Sequence, residues 1–280
     1  MYCRFNNLPQ PARGVQMTND SVSAEGIGPF LYQSKFAENI RVFPTIDSTN
    51  REAKDQALHE AAHGTVIIAD SQTQGKGRFG RAFFSPPGGG LYMSFILSAD
   101  RLGFANPTAV TVYAAVCVCE AVEAVCGMKP SIKWVNDIFL NGKKICGILA
   151  EATTDVDNRG AGKIILGIGV NVSTKTVDFP EELRSAVSSL YPDGNARISR
   201  NQLAAEIINR ILAADRPSET EIFERYRNRL FILGSYVNVI QGKEEYRARA
   251  LDIDGDGHLL VQMGNGEIRT LLSGEVRLIP

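Results

Sequence analysis

The chain has 280 residues, 44% of them hydrophobic and 22% charged, with a formal net charge of −1; this is ordinary globular composition with room for one large domain, or a large and a small one. So even a balance gives bulk electrostatics no pull toward nucleic acid or a membrane surface. The five cysteines (Cys3, Cys117, Cys119, Cys126, Cys146) are odd in number without CxxC spacing, which excludes a disulfide framework and a zinc ribbon; with no apolar run expected to reach about 18 residues and no signal-peptide core, the reading is a cytoplasmic protein.

Residues 1–34 are rich in Asn, Pro, Gly and Ser and read as a loosely ordered tail, with Pro9 and Pro11 leaving no room for a helix-turn-helix. Order is expected from near Glu38, with a strand over 39–46 and a helix opened by Asp47-Ser48-Thr49-Asn50. Thr49 and Glu52 have capping-box spacing; Ala53, Ala57, Leu58 and Ala61 share a face, and Gly64 stops the helix. A strand at 65–70, a Gly-rich loop at 71–90 and a buried strand at 91–97 follow. The apolar stretch from Pro107 to Cys126 predicts a helix with proline in its first turn. Strands are expected at 131–135, 137–140, 144–153 and 163–172, the Asn141-Gly142 pair marking a hairpin. Helices near 200–214 and 219–231, capped by Ser199 and Ser218, close a catalytic-sized α+β domain spanning 35–233. From 234 to 280, short strand-like runs between turn signals (Gly242, Asp254-Gly255-Asp256-Gly257, Gly264-Asn265-Gly266) predict a small all-β barrel.

The segment Gln72-Thr73-Gln74-Gly75-Lys76-Gly77-Arg78-Phe79-Gly80-Arg81 puts three cations within six residues, with no acid from Ser71 to Ser98. Glycines let backbone N–H groups approach a ligand, and Lys76, Arg78 and Arg81 can pair with phosphate oxygens. Alone, the segment reads equally as an anion-binding loop or as a solvated basic turn. Its GxGxxG spelling does not make a dinucleotide fold, because Phe83-Phe84-Ser85-Pro86-Pro87-Gly88 cannot open a helix. A second polar cluster, Lys133, Asn136 and Asp137, falls at a strand turn, with Lys143 and Lys144 across the hairpin and Gly147 inside the next strand.

Together these stretches resemble the biotin protein ligase family. Its GRGRxGR loop corresponds to Gly75–Arg81, its KWPND stretch to Lys133-Trp134-Val135-Asn136-Asp137, and its KxxGILxE stretch to Lys144–Glu151. Its Ser-Thr-Asn is matched by Ser48-Thr49-Asn50 and its GxGxN strand by Gly167–Asn171, so five motifs stand in the family's order between about residues 47 and 171. The resemblance implies a mixed β-sheet ligase domain backed by helices, of the class II synthetase and biotin ligase type, with an SH3-like C-terminal barrel and without an N-terminal DNA-binding domain. It implies biotin plus ATP going to biotinyl-5′-AMP and pyrophosphate, then transfer to a lysine of a biotin carboxyl carrier protein, with Mg²⁺ accompanying ATP and a homodimer as one arrangement.

The residue roles are implied likewise. Ser48, Thr49, Asn50, Gln72, Gly75, Lys76, Gly77, Lys144 and Gly147 bind biotin. Lys76, Arg78, Arg81, Phe83, Lys133, Asn136, Lys144 and Asn171 bind ATP or the adenylate. Lys144, Arg78 and Asp137 are catalytic, Lys144 reaching the biotin carboxylate and α-phosphate, Arg78 closing over the intermediate, and Asp137 either orienting the acceptor lysine or helping hold Mg²⁺. Asn136 shapes its turn as well. The chain departs from the pattern at Lys76, Val135 and Phe83, which stand for the usual arginine, proline and tryptophan. Two relatives of this reading are a lipoate ligase or acyltransferase of the same fold, and a regulator that senses biotinyl-adenylate. His59-Glu60-Ala61-Ala62-His63 spells HExxH, but Gly64 follows at once and His258 is far off, so His59 and His63 read as exposed helix-end residues. Asp252–Gly257 lacks a glutamate at calcium-loop position 12 and reads as a β-turn; Asn171-Val172-Ser173 falls in a strand and carries no glycosylation argument.

Overall fold

A computed structural model describes residues 20–59, 61–102, 104, 107–153 and 162–279. Seven strands form a mixed sheet: β1 (Ile40–Ile46), β2 (Thr65–Gln72), β3 (Gly90–Ser98), β4 (Ser131–Lys133), β5 (Asp137–Leu140), β6 (Lys143–Ala152) and β7 (Lys163–Asn171). Their order is β1-β2-β3-β7-β6-β5-β4, with β1 and β2 parallel and every other pair antiparallel. Asn141 and Gly142 have φ of 51° and 76°, the pair of positive values that a tight β5–β6 hairpin turn demands.

Helices cover both faces. On one, α2 (Thr49–Leu58) buries Ala53 and Ala57 against Ile67, Ile96 and Ile165. On the other, α4 (Pro107–Cys126) packs with α5 (Arg200–Ile211) and α6 (Glu219–Arg227) over the larger core. Short helices α1 (Ala24–Ile27) and α3 (Ala99–Leu102) complete the set. After Gly234, β8 (Tyr236–Gln241), β9 (Glu244–Ile253), β10 (Leu259–Met263), β11 (Ile268–Leu271) and β12 (Glu275–Leu278) form an antiparallel sheet in the order β11-β10-β9-β8-β12. Trp134, 2% exposed, ties the two sheets by donating its Nε1–H to Gly257 O at 2.9 Å.

Several expectations need correction. By length and apolarity α4 does reach what a membrane-crossing helix needs, but it is a core helix, with residues 109–119 and Ala121 and Val122 buried. The capping box at Thr49 is absent: Ser48 is the N-cap residue, and Gln72 Oε1 accepts the Thr49 N–H at 2.9 Å while Glu52 accepts from Gln56. α2 ends at Leu58, six residues before Gly64, and leaves Leu58 64% exposed. His59 and His63 therefore share no helical face; His59 is exposed, but His63 is half-buried and accepts the Ser98 N–H at 3.0 Å. Burial and the nearby Arg101 and Arg216 hold the His63 imidazole below its usual range. Order begins well before Glu38. The expected tail falls outside the described residues over 1–19, but from Asp20 onward the chain forms α1 and 3-10 turns at Gly28–Phe30 and Ser34–Asn39. Ser218 and Glu221 make a complete capping box at α6, and Asp254–Gly257 is a turn closed by Gly257 N–H to Asp254 O at 3.1 Å.

Candidate functional site

The pleat of β3, β6 and β7 decides where a pocket can form. Asp137, Gly147, Gly169 and Tyr92 lie in one row across the sheet, and Leu149, Gly167 and Ser94 in the next. Three of these seven positions are glycine, so this face is cut away beside the N-terminus of α2. The space is used closely. A Cβ on Gly167 would lie 2.1 Å from Asn50 Oδ1, and one on Gly169 would lie 2.7 Å from the Phe83 ring. The result is a cavity of about 330 Å³, the size of a small-ligand site.

Its floor is a chain of hydrogen bonds. Gln72 Oε1 accepts from Thr49 N–H (2.9 Å) and Thr49 Oγ1 (3.1 Å), and Gln72 Nε2 donates to Ser85 Oγ (2.9 Å). Ser94 Oγ lies 2.8 Å from Thr49 Oγ1 and 2.6 Å from Asn50 Oδ1, and Asn50 Nδ2 donates to Glu151 at 2.9 Å. Burial pushes the Glu151 carboxyl up, but hydrogen bonds from Lys54 and Asn50 outweigh it and hold the group below its usual range. Ser48 Oγ, by contrast, is buried on the cavity wall with no hydrogen-bond partner. So is Asn171 Oδ1, whose own amide nitrogen is fixed by Ser188 O at 3.0 Å. Buried polar atoms usually have a hydrogen-bond partner, so these two are groups that water or a ligand in the cavity can engage.

The opposite wall is charged. Five cations line the cavity (Lys76, Arg78, Arg81, Lys133, Lys144) against two carboxylates, Asp137 and Glu275. Lys144 Nζ sits 2.6 Å from Asp137 Oδ1, with Lys133 Nζ 3.9 Å from Oδ2. Arg78 donates to Asn136 Oδ1 at 2.9 Å and to Gly274 O at 3.0 Å, and stacks on Phe79, its ring 4.7 Å away. Burial pulls the Arg78 guanidinium below the usual arginine value, with Asp137 and Glu275 opposing, and it remains charged. Burial lowers Lys133 likewise, against Asp137. Arg81 pairs with Glu275 at 2.5 Å. Asn136 does two jobs, since its Nδ2 also donates to Ile148 O across the turn at 2.9 Å.

Of the residues expected at the site, Ser48, Thr49, Asn50, Gln72, Lys76, Gly77, Arg78, Arg81, Phe83, Lys133, Asn136, Asp137, Lys144, Gly147 and Asn171 all line this one cavity. Gly75 does not. It is buried behind the wall, where a Cβ would lie 2.4 Å from Phe83 O, so its part is to let the loop fold back on itself. Sequence reasoning missed Gly274 and Glu275, which arrive from β12 and its approach, and the wall around Phe179, Leu183, Ala186 and Val187. No spacing links either segment to the loop, although Lys144 N–H to Ala186 O (3.0 Å) brings the second one in.

Residues 42–171 match the family model described as biotin/lipoate A/B protein ligase family, and residues 232–278 match that of the biotin protein ligase C-terminal domain. The chain is 34% identical over 251 residues to the bifunctional ligase/repressor BirA of Bacillus subtilis, covering 83% of this chain and 72% of that protein. It is 28% identical over 237 residues to the biotin–[acetyl-CoA-carboxylase] ligase of Mycobacterium tuberculosis, covering 82% and 85%. Among solved structures, the biotin protein ligase from Aquifex aeolicus in complex with biotin and ATP aligns with a TM-score of 0.73 at 29% identity, covering 86% of this chain and 99% of that one.

Proposed function

This chain belongs to the biotin/lipoate A/B protein ligase family, among its biotin protein ligases, and from that premise we propose how its pocket divides the work. The enzyme is an ATP-dependent, AMP-forming ligase that converts biotin and ATP to biotinyl-5′-AMP and pyrophosphate, then transfers the biotinyl group to a protein lysine. The observation that carries the assignment of ends is the split character of the cavity: an unpartnered Ser48 hydroxyl beside the uncharged Thr49, Asn50 and Gln72, and five cations opposite. Biotin has the same split, a neutral ureido ring at one end and a carboxylate at the other.

On this reading Ser48, with Thr49 and Gln72, takes the ureido ring. Lys144 takes the carboxylate and the α-phosphate, its ammonium held in place by the ion pair with Asp137 at 2.6 Å. As the carboxylate attacks phosphorus, negative charge grows on oxygens held by fixed cations, which stabilises the transition state. Asn171 Oδ1, an acceptor without a partner, suits the exocyclic amine of adenine. In the second step the acceptor lysine nitrogen attacks the acyl carbon, the bond to the phosphate oxygen breaks, AMP leaves and the lysine loses a proton. To Asp137 we assign the orienting of that lysine.

Among the described residues, Asp137 and Glu275 are the carboxylates lining the cavity, and each is already ion-paired, to Lys144 and to Arg81 and Arg277. That donor set does not build a cage for Mg²⁺, so the ion is carried by the nucleotide's phosphates and no step here depends on protein ligands to it. The acceptor we propose is a biotin carboxyl carrier protein. The test is ATP-dependent incorporation of labelled biotin into a purified carrier domain, beside an acceptor-lysine variant and a lipoate arm. Label on the wild-type carrier alone supports the reading; lipoate transfer, or neither label nor biotin-dependent pyrophosphate release, overturns it.

A further inference from the structure

Arg200, the first residue of α5, is only 3% exposed and sits behind the sheet, on the face away from the cavity. A buried guanidinium is costly unless every donor is matched, and here the partners come from three distant parts of the chain. Its Nε pairs with Asp20 Oδ2 at 2.9 Å, and its Nη2 donates to Asp20 O. Its Nη1 pairs with Asp70 Oδ1 at 2.6 Å and donates to Gly90 O at 2.9 Å. The second Asp70 oxygen accepts from Gly88 N–H at 3.1 Å. Asp70 lies near the end of β2, just before the glycine-rich loop, and Gly88 and Gly90 lie where the loop returns to β3. One carboxylate and one guanidinium therefore close the neck of the loop that carries Lys76, Arg78 and Arg81.

Asp20 is held over Arg200 by a ladder along α5. Asn201 accepts the Ser23 N–H and donates to Ser21 O, both at 3.0 Å. Eight residues on, Asn209 accepts the Tyr32 N–H and donates to Phe30 O, both at 2.9 Å. Tyr32 Oη adds a hydrogen bond to buried Glu206 at 2.9 Å. Asn201 and Asn209 are a little over two helical turns apart and so fall on one broad face of α5. Neither residues 20–32 nor Arg200 fall within the stretches that match the ligase family models, 42–171 and 232–278.

We propose that the segment 20–32, through Asp20 and Arg200, is a positioning element of the active site: it locks the neck of the glycine-rich loop from behind the sheet and so sets how well the loop cations retain the acyl-adenylate. The catalytic half of this statement rests on the function proposed above; the structural half does not. Both are tested in the full chain with Asp20→Ala, which removes the carboxylate while leaving Arg200 its bonds to Asp70 and Gly90. Limited trypsin digestion without substrates reads the loop directly at Lys76, Arg78 and Arg81. Cleavage there is expected to rise roughly tenfold, the scale of losing one partner of a part-buried pair through local opening, with other sites rising much less. Release of biotinyl-AMP should quicken and the KM for biotin rise, with kcat for adenylation nearly unchanged. Loop cleavage equal to wild type, or rising in step with every other site, overturns the lock. Faster loop cleavage with unchanged retention of the intermediate overturns its catalytic role. A wild-type protein that forms no biotinyl-AMP would sink the function instead, and the digestion would still judge the lock.

Discussion

On the sheet side of the pocket, Thr49, Asn50, Gln72, Ser85, Ser94 and Glu151 are joined by hydrogen bonds of 2.6 to 3.1 Å, each anchored on a strand, a helix end or the returning loop. On the loop side, Arg78 holds Asn136 and Gly274 O, Arg81 holds Glu275, and exposed Lys76 has no ion pair among the described residues. The floor satisfies nearly all its polar groups with protein partners and leaves Ser48 Oγ for a ligand. The rim satisfies its two arginines with contacts for which an incoming polyanion competes. A neutral heterocycle is best read by a surface that does not rearrange, since its hydrogen bonds gain only if the donors and acceptors are already placed. A phosphate charge is strong enough to pull a loop out of weaker contacts. The two halves of the proposed site thus differ in what holds them before substrate arrives, and substitutions should separate them.

The largest effect is expected where the halves meet. Lys144→Ala removes the cation nearest Asp137 and should lower biotin-dependent pyrophosphate release by roughly 100- to 1000-fold, the cost of losing one fixed donor to a developing oxyanion. A far-UV spectrum like wild type would show that the fold survives, and turnover near wild type would remove Lys144 from the chemistry.

Next comes the floor. Gly167→Ala places a methyl group 2.1 Å from Asn50 Oδ1, a collision that backbone and side chain must both yield to. Stability should fall by about 1–3 kcal/mol, as overpacking of a filled core does. Biotin KM should rise roughly 10- to 100-fold, because an ångström of misplacement in a positioning group costs on that order. ATP KM measured at saturating biotin should move much less, and an equal rise in both would erase the distinction between floor and rim.

Much of this architecture could be read along the chain because its signals are local. Helix α4 begins at Pro107 and ends at Cys126 as its apolar run and N-terminal proline indicate. The hairpin at Asn141-Gly142 and the five C-terminal strands follow their turn residues. The site residues expected from the motifs were also legible, except Gly75, which lies outside the cavity lining. What escaped was made by side chains acting across long separations. Thr49 looked like a cap for its own helix, yet its N–H is taken by Gln72, 23 residues on. Residues 20–32 look like a polar tail because their partners on α5 are nearly 180 residues away and leave no local period. Gly274 and Glu275 lie 194 to 196 residues from the loop arginines they hold, at the start of a strand whose own pattern reports only its pairing with β8.

The rim gives the smallest and most selective effect. Arg78→Gly removes the hydrogen bonds to Asn136 and Gly274 O and the cation over Phe79, but leaves the Thr49–Gln72–Ser94 floor untouched. Phe79 already occupies a left-handed backbone conformation, with φ 56° and ψ 33°, and a second glycine beside Gly77 adds conformational freedom to that turn. Losing a charge-assisted hydrogen bond to the intermediate is worth about 1.5 kcal/mol, or roughly tenfold in its release. The adenylate should still form, leave the pocket sooner, and acylate exposed lysines on bystander proteins. The measurement is the decay of enzyme-bound biotinyl-AMP after gel filtration, alongside label found on a protein that is not the carrier. A variant that leaks faster while keeping biotin KM within twofold of wild type would show retention and recognition to be separate properties of the two walls. One that lost biotin affinity as well would mean that the loop shapes the floor, and that the two walls cannot be treated as independent.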